Sequence, residues 1–326
     1  MPAEWAPHRR TWMCWPCRAE AWASAAQMER ARTATAEVAH AIARFEPVVM
    51  IARPDDAESA GQACGRAEIF VAPIDDSWAR DTGPTFLSGG PAAGVAWRFN
   101  AWGGKYDGHD NDAALAPRVL QRAGAELFAA PIVCEGGAIH VDGDGTLITT
   151  EQCLLNGNRN PGRTREEIAE TLRRFTGAQS VLWLPGEFAD VETDGHVDNI
   201  ACFVSPGRIL LGIPPAGHPD FPAVARLKRF LSEARDARGR AFEIVEVAQP
   251  ERRREDWRGR PLAASYVNFC LANGGLIAPA FGDPSDLPAL GVLKDCFPGR
   301  TIVQIDAIDI VEGGGGIHCI TQQEPA

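Results

Sequence analysis

The segment Gly136–Val141 (GGAIHV) recurs near the C-terminus as Gly314–Cys319 (GGGIHC), 178 residues later. A motif repeated at that distance implies one structural unit used more than once. With a strand-rich unit of about 60 residues, the interval holds three units. Val141 and Cys319 then occupy equivalent positions in two of them, with a reactive side chain in only one. A chance similarity of glycine-rich turns is the alternative.

The hydrophobic pattern agrees with repeated small units. Residues 21–45 are rich in Ala, Glu and Arg and predict a helix, followed by a short buried strand at Pro47–Ala52. Another strand is predicted at Ala67–Pro73. Ala138–Val141 and Thr146–Thr150 flank an Asp-Gly-Asp-Gly turn, a hairpin signal. Thr164 with Glu167 forms a capping box that opens a helix to about Phe175. Further strands are predicted at Arg208–Ile213, Phe242–Val247, Gly274–Pro279 and Thr301–Ile305, with helices at Ala223–Ala237 and Asp286–Cys296. Strands and helices alternate to the end without a long linker, so the expectation is one α/β domain over residues 1–326.

Composition narrows the function. A net charge of −11 with no basic run argues against nucleic-acid binding. Glu251–Arg254 is followed at once by Glu255 and Asp256, and reads as a solvated loop. An acidic protein can steer cationic ligands toward itself, although many proteins are acidic without doing so. No apolar run approaches the roughly 18–20 residues that span a bilayer, and the N-terminus has no secretory core, so no membrane association and a cytoplasmic location are expected. The nine cysteines are scattered, which argues for buried thiols rather than a disulfide framework. Cys14-Trp15-Pro16-Cys17 has redox spacing, but no strand is evident before it.

Three segments concentrate reactive groups. Gly313–Gly316 run straight into Ile317-His318-Cys319-Ile320-Thr321, which reads as a strand. Four glycines there suit a sharp turn or a close approach, and a cysteine at that junction is a candidate nucleophile. His318 would face away from Cys319 on a strand, so a base from elsewhere is expected. His196-Val197-Asp198, read as extended, presents a base and an anion on one face beside Glu192 and Asp194. An exposed acidic turn and a metal site are the alternatives. In Asp75–Pro84, Asp81 offers a second carboxylate and Trp78 an aromatic face. A planar guanidinium pairs with two such carboxylates and stacks on such a ring.

Taken together, MPAEWAPH, DDSWARDTGPTF, FNAWGGKYD, EGGAIHVDGDGTLITTEQCLLNGNRNP, ETDGHVDN, ASYVNF and GGGGIHCITQQ resemble the agmatine deiminase family of the guanidine-modifying superfamily. The resemblance runs from end to end. It implies a five-bladed α/β propeller (pentein) of ββαβ units around a central active site. It implies that Cys319 is the nucleophile and His196 the general acid/base, with Asp198 and Asp81 holding the guanidinium. Trp78 would line the site, and Glu192 and Glu135 would shape the substrate pocket. The implied reaction converts agmatine and water to N-carbamoylputrescine and ammonia through an amidino-cysteine, with no metal or cofactor. Other guanidines, including C-terminal or peptidyl arginine, are alternative substrates, and a non-catalytic guanidine-binding propeller is a third reading. A homo-oligomer is also in keeping with the family. Two departures stand out: Gly316 replaces the usual Asn, and the segment after Gly104 is short.

Overall fold

The computed structural model describes all 326 residues. Its strands form five small sheets, each built on the same plan. In the first, β1 (His8–Cys14) runs parallel to β2 (Val48–Ala52), which is parallel to β3 (Glu68–Val71). The second holds β4 (Thr85–Leu87), β5 (Ala93–Arg98) and β6 (Glu126–Val133); the third holds β7 (Ile139–Val141), β8 (Thr146–Thr150) and β9 (Ser180–Leu184). The fourth contains β10 (Ala201–Ser205), β11 (Arg208–Ile213) and β12 (Glu243–Ala248), and the fifth β13 (Cys270–Ala272), β14 (Gly275–Ala280) and β15 (Thr301–Asp306). The last strand, β16 (Thr321–Pro325), pairs antiparallel with β1, so one sheet joins the two ends of the chain.

Four units are an antiparallel hairpin followed by a helix and a strand that returns parallel to the second hairpin strand, and in the first unit β16 and β1, from opposite chain ends, take the place of the hairpin. The crossover helices are Ala25–Ile42, Leu115–Ala123, Arg165–Thr176, Phe221–Glu233 and Asp286–Cys296. This is the five-unit ββαβ arrangement that the resemblance implies. The 178-residue interval covers the third, fourth and fifth units, and Cys319 lies just before β16, which opens the first.

Local sequence explains these elements. Val48–Ala52 is an uninterrupted apolar run, buried throughout, as a strand paired on both edges and covered on both faces must be. Ser24 caps the first long helix by accepting from the Gln27 N–H. The capping box of Thr164 and Glu167 forms, and Gly177 ends that helix in the left-handed conformation. The largest apolar cluster joins the first and fifth units around Met50, Ile277 and Ile310. No helix is long and apolar enough to cross a membrane.

Three sequence readings are corrected. Residues Ile317–Ile320 are turns, and the strand begins only at Thr321. Val197–Asn199 is a short 3-10 helix rather than an extended segment. The Cys14–Cys17 motif does follow a strand, since β1 ends at Cys14. Both thiols are nevertheless buried and free, and burial raises their pKa, which opposes redox chemistry.

Candidate active site

The inner ends of several units bring Asp81, Glu135, His196, Asp198 and Cys319 together, all buried. Asp81 sits in the one-turn helix Ala79–Thr82. The Gly137 N–H donates to its Oδ1 at 2.9 Å, and the Trp102 indole donates to its Oδ2 at 2.8 Å. Trp102 and its neighbour Ala101 have φ of 53° and 55°, a left-handed backbone that side chains disfavour. That strain is retained where the indole must reach Asp81.

Asp198 accepts from His318 Nδ1 through Oδ2 at 2.9 Å, while its Oδ1 has no partner. His196 places Nδ1 3.8 Å from Asp81 Oδ2 and Nε2 3.7 Å from Glu135 Oε2, and neither nitrogen makes a hydrogen bond. Cys319 Sγ lies 3.2 Å from the Asn268 side-chain amide and 3.5 Å from Asp198 Oδ2. Buried polar atoms are normally paired, so these unpartnered atoms mark where a polar ligand belongs.

Gly137 is the pivot of this arrangement. A Cβ there would lie 2.7 Å from His196 Nδ1, 2.9 Å from Asp198 Oδ2 and 2.9 Å from Asp81 Oδ1. Only glycine lets the three groups converge. Three of the four glycines before Cys319 serve close approach in the same way, and the fourth, Gly314, has a φ of 117° that favours glycine. Side chains at Gly313, Gly315 and Gly316 would strike Trp22, Trp78 and Asn268 respectively. Gly316 in particular leaves the room that Asn268 uses to reach the thiol.

Electrostatics follow from burial and proximity. Burial, with Asp198 and Asp81 nearby, raises the Cys319 thiol well above its usual value. Burial raises Asp81 as well, and His196 only partly offsets it. Burial disfavours a charge on His196, but Asp81, Cys153 and Glu135 outweigh it and hold the imidazole pKa well above 6.5. Glu135 and Asp198 stay below the usual carboxylate range despite burial, the first through Arg159 and the second through His318.

Of the residues expected to shape the pocket, Trp78, Asp81 and Glu192 line a narrow recess with Asp76, Trp102 and Cys319. Glu192 and Gly314 also border a wider cavity of about 360 Å³ that His196 edges. Glu135 lines neither; it backs His196 and takes Arg159 Nε on its other oxygen at 2.7 Å. Glu135, Cys153 and His196 bring donor atoms within 4.8 Å of one another, a set able to hold a metal ion. The Arg159 guanidinium on Glu135 and the raised Cys153 thiol both oppose a cation there.

Sequence reasoning missed Trp102, Asn268, Arg159 and Gly137 as site residues. Trp102 and Asn268 stand inside segments already singled out, FNAWGGKYD and ASYVNF, but no spacing rule links them to Asp81 or Cys319. His318, set aside as facing away, reaches Asp198 because its segment turns.

Residues 1–325 match the family described as Porphyromonas-type peptidyl-arginine deiminase. The putative agmatine deiminase of Legionella pneumophila is 46% identical over 331 residues, covering 100% of this chain and 94% of the relative. The agmatine deiminase of Stutzerimonas stutzeri is 44% identical over 355 residues, covering 100% and 95%. Among solved structures, the Enterococcus faecalis agmatine deiminase caught catalysing its reaction superposes with a TM-score of 0.95 at 33% identity, covering 100% of this chain and 95% of that one.

Proposed function

Since the chain belongs to the Porphyromonas-type peptidyl-arginine deiminase family, we propose that it is an agmatine deiminase, hydrolysing agmatine to N-carbamoylputrescine and ammonia. The observation that carries this reading is the convergence of Asp81, Asp198, His196 and Cys319 around Gly137. Two carboxylates converging on Gly137, Asp81 from the lining of the recess and Asp198 from beside Cys319, suit a planar cation with a fork of donors on each side.

The steps follow from the charges. The guanidinium enters between Asp81 and Asp198, whose oxygens keep lone pairs free beyond the bonds already made. Its positive charge offsets the two carboxylates that, with burial, raise the Cys319 thiol, so on substrate binding the thiol releases its proton to solvent and the thiolate forms. Asn268 donates to the sulfur from the side. The thiolate attacks the guanidinium carbon, a C–S bond forms, and the C=N electrons move to nitrogen. His196, kept protonated by its acidic neighbours, donates to the leaving nitrogen as the C–N bond breaks, and ammonia departs. The neutral imidazole then takes a proton from water. Hydroxide adds to the amidino carbon, the C–S bond breaks, and the ureido product leaves with Cys319 restored.

Relatives named agmatine deiminase at 42–46% identity over the whole chain support agmatine as the substrate. A ureido-product assay on agmatine, free arginine and arginyl peptides tests it. Turnover of agmatine is expected, with an adduct of the mass of agmatine less ammonia on Cys319 in protein quenched during turnover. Turnover of a peptide without turnover of agmatine would sink the proposal.

A further inference from the structure

Glu4 comes from the segment before β1, yet its carboxylate lies at the centre of the molecule, almost fully buried. Its Oε1 is 2.8 Å from His318 Nε2 and 3.3 Å from Arg80 Nη1, and its Oε2 is 3.6 Å from His140 Nε2. His318 is thus held between two acids, since its other nitrogen is 2.9 Å from Asp198 Oδ2. An ionised carboxylate only accepts hydrogen bonds, so both ring nitrogens must donate. The ring that satisfies both contacts is the imidazolium. His140 is fixed differently: the Phe203 N–H donates to its Nδ1, which leaves Nε2 to carry the proton toward Glu4.

We propose that Glu4 is a positioning residue of the reaction: it keeps His318 as a doubly donating imidazolium, and that ring locks Asp198 beside Cys319. The kinetic part of this assignment rests on the deiminase reading. Asp198 Oδ2 is engaged by His318 on one side and approached by the thiol on the other, which leaves Oδ1 for the guanidinium. The same ring sets a positive charge one residue from the nucleophile. The Arg80 backbone N–H donates to the Cys319 carbonyl at 3.0 Å, so its side chain holds Glu4 while its main chain holds the segment that carries His318. The groups facing the pair are Asp198, Arg80, His140, Cys202 and Cys319. Although burial works against it, His318, Arg80 and His140 hold Glu4 well below the usual carboxylate range. For His318, burial and Arg80 lower the pKa, but Glu4 and Asp198 raise it above 6.5.

Glu4→Gln keeps the shape and an acceptor but removes the charge that favours the imidazolium. Its His318 then loses the second proton at lower pH. Agmatine turnover should fall about tenfold at pH 8, and the alkaline limb of the kcat profile should move down by about one pH unit. A purely structural loss would lower the melting temperature and leave that limb in place. Folded Glu4→Gln with a wild-type pH profile overturns the proposal. If the variant does not fold, 15N NMR of the wild-type histidines decides the matter. With His318 assigned by triple-resonance experiments, both ring nitrogens should carry protons at pH 7, and a neutral ring there overturns the proposal. The NMR readout uses no substrate, so a failure of the agmatine reading would appear separately, as absent turnover by the wild type.

Discussion

Gly137→Ala tests the geometry of the site with the smallest possible change. The added methyl would sit 2.7 Å from His196 Nδ1 and 2.9 Å from both Asp198 Oδ2 and Asp81 Oδ1, where ordinary contact begins at 3.4 Å. The shortfall is therefore about half an ångström on three groups at once. Two of the three are tied in place, and His196 is closed in by Asp81 and Glu135. Asp81 is tied to Trp102 and to the Gly137 N–H itself, and Asp198 is tied to His318. Movement must go into the space the guanidinium would occupy. A misplacement on the order of 1 Å costs about 10²-fold in rate, or about 2.7 kcal/mol of transition-state stabilisation. Overpacking itself costs about 1–3 kcal/mol, which a protein with a core this extensive survives. The assay is ureido production from agmatine, with circular dichroism and a thermal melt as controls. A folded Gly137→Ala protein within about threefold of wild-type kcat/KM would refute the convergence argument.

Four further outcomes follow. Cys319→Ser should lose on the order of 10⁴-fold or more of agmatine turnover while still binding agmatine by calorimetry, and an active variant would remove Cys319 as nucleophile. Asn268→Ala deletes the amide 3.2 Å from Sγ and should lower kcat by roughly 10²-fold, as loss of one oriented donor does; an unchanged kcat counts against a role at sulfur. Arg159→Met leaves Glu135 buried without its ion pair and should lower unfolding free energy by roughly 3–5 kcal/mol in a urea titration, where a shift below about 1 would contradict it. Burial pushes the Asp112 carboxyl up to about 8, so the stability its proton confers is full below 3.8, declines as pH rises and is lost once pH passes about 8. Asp112→Asn keeps the oxygen that accepts the Asp75 N–H, so its melting-temperature advantage over wild type should widen between about pH 5 and pH 9; a constant gap would show that Asp112 does not titrate there.

The sequence by itself determined the alternation of elements, because apolar period, capping residues and Asp-Gly turns act locally. The helix opened by Thr164 and the hairpin around Asp142–Gly145 needed no tertiary information. The echo of GGAIHV in GGGIHC carried the repeat, and the long motifs carried the family and its Cys319, His196, Asp198 and Asp81. The strand through Ile317–Thr321 and the extended reading of His196–Asp198 were wrong for one reason. Local pattern favours strand, but chain ends and inter-unit turns are set by what they must reach. Tertiary structure alone decided that Glu135 stands behind His196, that Trp102 takes a left-handed backbone to hold Asp81, and that the glycines before Cys319 make room for Trp22, Trp78 and Asn268. It also decided that Glu4 meets His318 across 314 residues of chain. Partners of that kind leave no period in a sequence, because a buried charge is satisfied by distance in space, whatever the distance along the chain.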